Sequence, residues 1–296
     1  MIEYDNKNWL KLLFTFKGSI IPRIAPRLLI FIVIAGILSY LHVEKIINLK
    51  LAPTPWTIVG VALGLLLVFR TNTAYDRFWE GRKSWGGLVN ATRNMAVNVI
   101  SYMSSDHAES LKTKEKIIKL LIVFAKLMKQ RLREEKQFSE VETYLDKKEL
   151  EILNKSVHPP VSVIAMIAKQ LYKAYKLGMV AVQHVAIMNN NLNNLMNELG
   201  ACERIRYTPV PIAYVLHLKR FLYLFCLTLP ISLIDSFGYW SIAIVTLVAY
   251  AFIGIEEIGV EIEDPFGDDP NDLPLDQICD NIEKLLFDIY RNQNEL

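Results

Sequence analysis

Long apolar runs alternate along the chain with long polar, charge-rich ones, and the alternation predicts four membrane-crossing helices around a polar helical insert. Residues 28–43 (LLIFIVIAGILSYLHV) contain no Asp, Glu, Lys or Arg. Counted from 24 to 47, the run is long enough at ~1.5 Å per residue to cross ~30 Å of hydrocarbon. A loop with Lys45, Lys50, Pro53 and Pro55 leads to a second run, residues 56–69 (WTIVGVALGLLLVF). Its 14 residues are few for a lipid-facing helix. Shielding by neighbouring helices removes that requirement, and Gly60 and Gly64 have the spacing that lets helices approach closely. Residues 212–234 form the third span. His217, Lys219 and Arg220 interrupt its first half and must snorkel or face protein or water. The turn Asp235-Ser236-Phe237-Gly238 precedes the fourth span, residues 240–255.

Between the second and third spans, residues 70–206 lack any run long enough to cross a bilayer. Arg70, Asp76, Arg77, Glu80, Arg82 and Lys83 open this stretch. Residues 112–131 read as an amphipathic helix, and residues 134–151 as a charged, solvated segment. Pro159 and Pro160 interrupt the helix, and a single long helix is expected over 161–200, with an Asn-rich patch at 189–194. From Glu261 to the end the sequence has 11 acidic and two basic residues, which predicts a solvated tail. At the other end, residues 6–17 place Trp9, Leu10, Leu13 and Phe14 near one helical face. They predict a short helix lying at the membrane surface or packed on protein. The division expected is 1–69, the interfacial helix and first two spans; 70–206, a helical domain; 207–258, the last two spans; and 259–296, an acidic tail.

Composition agrees with a molecule part in lipid and part in water. Hydrophobic residues make up 52% and charged residues 22%, against ordinary soluble shares of about 45–50% and about 25%. A net charge of +2 without a dense basic tract argues against a nucleic-acid partner. Cys202, Cys226 and Cys279 are odd in number and far apart, with neither disulfide nor metal-ligand spacing. No zinc-protease, dinucleotide, phosphate-loop or nucleophile-elbow motif occurs, and the five histidines are scattered. The residues therefore do not suggest an enzyme, and no organic cofactor is called for.

Three segments carry a family likeness. RTNTAYDRFWEGRKSWG from Arg70, CERIRYTPVPIAY from Cys202 and EDPFGDDPNDLPLD from Glu263 resemble, in order, the signature stretches of bacterial bestrophins. The resemblance implies an all-α integral membrane protein with four transmembrane helices and a cytosolic helical domain. It also implies a homopentameric channel with its pore on the fivefold axis, in the bacterial inner membrane and among its lipids. Pore-facing neck positions would be Val61, Leu65 and Phe69, whose apolar rings shut by dewetting. From periodicity alone these positions read as lipid-facing or core residues, and the family resemblance reverses that reading. A second constriction, near the cytosolic exit, would fall at Gln183, with Met179 and Ala186 as alternatives on the same face. Eukaryotic members carry a calcium clasp where this chain has Asp264, Asp268, Asp269 and Asp272. Here Pro270 and Asn271 interrupt the acidic run, so calcium at Asp264, Asp269 and Asp272 is a candidate but not the favoured reading.

The ions expected are small and monovalent. The neck has one aromatic residue, Phe69, to turn a positive ring edge to an anion, which weakens any anion bias. Cations such as sodium are narrowly ahead, chloride is the alternative, and a non-conducting membrane scaffold is the alternative of another class. Arg23, Arg27, Arg70, Arg77, Arg82, Lys83, Arg204 and Arg206 fall on one side of the spans, against Lys45 and Lys50 on the other. This excess predicts that both termini and residues 70–206 are cytosolic. A cysteine introduced at Lys50 should therefore react with an impermeant reagent on intact cells and one at Asp106 should not. The reverse pattern would overturn the orientation.

Overall fold

The computed structural model describes residues 14–104, 107–135 and 138–292, and all regular structure among them is helical. In chain order the helices are α1 (Ile21–Val43), α2 (Thr54–Tyr102), α3 (Ser110–Leu132), α4 (Lys147–Lys155), α5 (Pro159–Lys176), α6 (Val182–Tyr207), α7 (Ile212–Phe237), α8 (Trp240–Glu263) and α9 (Leu275–Arg291). The chain divides into two compact units. One comprises Met1–Phe78, Pro209–Pro265 and Asp269–Asp272, and the other Trp79–Thr208, Phe266–Asp268 and Leu273–Leu296.

In the first unit α1, the start of α2, α7 and α8 are long and apolar enough to cross a membrane. Pro22 sits in the first turn of α1 and Pro55 in that of α2, where the missing N–H has no helical partner to lose. The core is a stack of Ile24, Phe31 and Ala35 from α1, Leu63 and Leu67 from α2, Leu218, Leu222, Phe225 and Cys226 from α7, and Val245, Ala249 and Ile253 from α8. Polar links run through it: Ser39 and Ser241 share a hydrogen bond of 2.9 Å, and the Trp56 indole donates to Thr228 at 3.1 Å. Gly60 and Gly64 turn out to differ. A Cβ at Gly60 would meet the Phe225 ring at 3.3 Å, whereas one at Gly64 would meet nothing within 4 Å. Only the first glycine serves a close approach within this chain. Gly238 closes the α7–α8 turn at φ 52°, ψ −129°, a conformation open to glycine alone.

Charge is concentrated on the last two turns of α8. Glu256 pairs with Lys219 at 2.9 Å, Glu257 with Arg27 at 2.6 Å and Glu261 with Arg23 at 3.7 Å, and Glu263 pairs with Arg70. The four carboxylates thus reach basic residues on α7, α1 and α2. The interruption of the third span is explained in part: Lys219 is spent on Glu256, whose side chain is buried. Glu263 does the most. Besides Arg70, its carboxylate accepts from the Val210 N–H at 3.2 Å, and its carbonyl accepts from Arg77 Nε at 3.1 Å.

The second unit is built on α3. Ile117, Ile118, Leu120–Ala125 and Met128 are buried nearly all round it. The short apolar run at 120–125 is the core of this unit, and the helix is more enclosed than an amphipathic one. Helix α5 packs on it, and so does α9, which buries Leu275, Cys279, Ile282 and Leu286 at helical spacing. The cysteines are free and buried.

Three expectations are revised, and the described residues reach a fourth only at its end. Helix α2 does not end with its apolar run. It continues for 49 residues, about 70 Å at ~1.5 Å each, because no proline follows Pro55 before Pro159 and the charge of Arg70 is met by Glu263. The expected boundary at 69/70 therefore falls inside a helix. The single helix over 161–200 is two, α5 and α6, parted at Gly178 (φ 72°), where Gly178 N–H and Met179 N–H bond back to Tyr175 and Ala174. The acidic tail is not uniformly solvated, because its apolar positions fall on one face of α9. Of the N-terminal interfacial helix, residues 6–13 lie outside the described residues and 14–17 are not helical.

Removing one partner of a buried ion pair leaves the other charge uncompensated, at about 3–5 kcal/mol. Glu263→Ala should lower the thermal unfolding midpoint of the detergent-solubilised protein sharply. The double variant Arg70→Met/Glu263→Leu should recover much of the loss. Equal midpoints for wild type and Glu263→Ala would show that the pair holds nothing.

Candidate ion pathway

Helix α2 has two contrasting faces. Leu63, Leu67, Arg70 and Ala74, at steps of four, three and four, are buried in the first unit. The opposite stripe is open: Val61 is 72% exposed, Leu65 56% and Phe69 56%. Steps of four at ~100° per residue keep these three within ~80° of arc. The three neck candidates therefore share one apolar face, as their spacing predicted, and within this chain that face is uncovered. Exposure alone is shared by Leu29, Val33 and Ile37 on α1, so it does not by itself separate a pore face from a lipid face.

The stripe does not stop at Phe69. Asn72, Thr73 and Asp76 continue it and are exposed. The sequence reading ended the stripe where the apolar residues ended. The signal it passed over is positional, since Asp76 follows Phe69 by seven residues and Leu65 by eleven, both near whole numbers of turns.

Gln183 lies in the first turn of α6 and is exposed, as are Ala186 and Ile187. Met179 is 2% exposed. It precedes α6, and its carbonyl accepts from the Ser104 N–H at 2.8 Å, so as an alternative to Gln183 it is withdrawn. His184 stacks on Tyr102 with ring centroids 4.2 Å apart, a packed position rather than a free helix surface. The Leu177-Gly178 pair was the sequence signal for the break that buries Met179.

The acidic segment after α8 does not present a cation cage. Asp269 is held by Arg23 at 3.0 Å, and the Asp272 carboxylate accepts from the Asp269 N–H at 2.7 Å. Among the described residues no three His, Cys, Asp or Glu side chains converge as metal ligands would. With Asp269 engaged by Arg23 and no convergent set of donors beside it, these side chains do not fit a hard divalent ion.

Against this geometry stand the comparisons with known proteins. The family model for bacterial and fungal bestrophin proteins matches residues 1–288. The chain belongs to the bestrophin family. Bestrophins are ion channels rather than enzymes, and the four apolar helices of this one place it in a membrane. It is 39% identical over 288 residues to the voltage-dependent anion channel-forming protein alr2987 of Nostoc sp., covering 96% of this chain and 92% of that one. It is 34% identical over 284 residues to the voltage-dependent anion channel-forming protein YneE of Escherichia coli, covering 96% and 92%. A crystal structure of a bacterial bestrophin homologue from Klebsiella pneumoniae superposes with a TM-score of 0.85 at 29% identity, over 90% of this bestrophin and 98% of that chain.

Burial, with the nearby Asp269, Asp264 and Glu261 charges, raises the Asp272 carboxyl to about 6. A carboxyl raised above its unfolded value binds its proton more readily when folded, so the native state is favoured as pH falls from about 6 towards 4. Its ionised form above pH 6 is a standing destabilisation. Asp272→Asn keeps an acceptor for the Asp269 N–H and should raise the unfolding midpoint at pH 7 while flattening its rise between pH 6 and 4. An unchanged pH profile would contradict this account.

Proposed function

We propose that this bestrophin forms a homopentameric channel through which small monovalent ions pass passively, with Val61, Leu65 and Phe69 of five α2 helices lining an apolar neck. The uncovered apolar stripe on α2, opposite a face that is fully packed, carries the reading. A helix with one face buried in its own subunit and an apolar face left over fits a place beside an axis. Gly64, open within the chain, adds room for a neighbouring helix. Gln183 is the proposed second ring, with an amide in place of an aliphatic side chain and so a wetter exit than the neck. The membrane is the bacterial inner membrane with both termini cytosolic, because the basic residues gather at the ends of the spans that meet residues 70–206. Calcium is not required, given arginine engagement of the acidic segment.

Two readings of ion choice stand on different observations. The curated relatives are named as anion channels, which favours chloride. Nothing in those names supports the sodium preference expected from the sequence, and the neck itself carries no charge of either sign. The charges beyond the neck favour a cation.

Purified protein in planar bilayers with asymmetric sodium chloride tests the channel directly. Wild type should conduct without calcium, and Leu65→Ala should raise current or open probability by widening and wetting the neck. Assembled protein that is silent in both forms would return the chain to the scaffold alternative.

A further inference from the structure

The charges on α2 just beyond the neck are sorted by face. Asp76 is exposed, and among the described residues it has no ion pair or hydrogen bond. Counted at ~100° per residue, it points within ~20° of Leu65 and within ~20° of Phe69, on opposite sides. The two basic residues of the same segment are turned elsewhere. Arg70 is 1% exposed and pairs with Glu263, and Arg77 donates to the Glu263 carbonyl at 3.1 Å. Asp76 is therefore the first formal charge on the open stripe after Phe69. The next on nearly that heading is Glu80, bonded to Arg204 at 2.7 Å. Lys83 follows a further turn on, its ammonium 5.8 Å from the Trp79 ring centroid.

We propose that Asp76 is the residue that sets ion selectivity, its five copies forming a carboxylate ring at the inner end of the neck that favours small monovalent cations over anions. This rests on the pentameric channel reading above. Distance makes Asp76 the dominant charge. Seven residues of helix put it about 10 Å past Phe69, near one Debye length at about 0.1 M salt, whereas Lys83 is about 21 Å past it, roughly two such lengths, and screened. An ion leaving a narrow apolar ring has lost part of its hydration and meets five like charges before bulk water returns. A one-signed ring concentrates counter-ions and depletes co-ions, and it needs no direct coordination. The apolar rings then set how readily the pathway wets, and the carboxylates set which ion fills it. Folding the two arginines onto Glu263 is what leaves the ring uncancelled.

The test is the reversal potential of the purified pentamer in a sodium chloride gradient, for wild type, Asp76→Asn, Asp76→Glu and Lys83→Gln. Wild type should reverse on the sodium side. Asp76→Asn should shift towards the chloride potential, with a fall in the sodium-to-chloride permeability ratio of roughly tenfold, the low end of what a one-signed cleft does to local ion concentration. Asp76→Glu should keep the wild-type value, and Lys83→Gln should move it less than Asp76→Asn does. Current from Asp76→Asn with an unmoved reversal potential overturns this assignment while leaving the channel intact. So does a chloride-selective wild type that Asp76→Asn does not alter. No current from any of these proteins or from Leu65→Ala removes the channel reading, and the assignment with it.

Discussion

The first unit depends on neutralising charge where its spans leave the membrane. Glu256, Glu257, Glu261 and Glu263 crowd two turns of α8, and their mutual repulsion would unwind or expel that end if each lacked a partner. Each has one, and the partners come from α7, α1 and α2. Apolar packing higher in the bundle is unspecific in register, since leucine against leucine tolerates sliding. Salt bridges between fixed positions do not, so these pairs set the relative heights of the four helices. Their energetic worth is smaller than their number suggests, because desolvation offsets much of the attraction. Their worth lies in the penalty for any arrangement that breaks them.

The same constraint shapes the helix proposed to line the pathway. Arg70 ends the apolar run of α2, yet the helix passes it without a break because the guanidinium folds onto Glu263 instead of reaching for water. One consequence is length, since a helix of 49 residues carries a single rotational phase from its apolar stripe into its polar continuation. Another is sorting, with basic groups drawn to the packed face and Asp76 left on the open one. Structural charge pairing and the chemistry of the open face are in this way two results of one interaction.

Family membership and geometry contribute different things. The match over residues 1–288 identifies a channel and supplies the reason to read an exposed apolar stripe as a pore face rather than a lipid face. It does not carry ion choice, which the proposal above places in the charges beside the neck. The chain's own side chains are the better guide there, because field strength near a narrow neck falls off within a Debye length.

The sequence by itself determined the four spans, because a run of apolar residues long enough for a bilayer has few other uses. It also determined the family, from three motifs in order, and that Val61, Leu65 and Phe69 share a stripe, because residues four apart on a helix share a face; only the family likeness made that stripe a candidate neck. Only the tertiary structure decided what those faces meet. Arg70 and Glu263 are 193 positions apart, and Arg27 and Glu257 are 230 apart; no local pattern announces such a pairing. Pairing of this kind also decided that α2 runs on past Arg70, that Asp76 stands alone, and that Asp269 meets Arg23. Burial of Met179 and of one face of α9 was half legible, in Gly178 and in the spacing of Leu275, Cys279, Ile282 and Leu286. Periodicity says which residues point the same way, but the neighbour they point at comes from elsewhere in the chain.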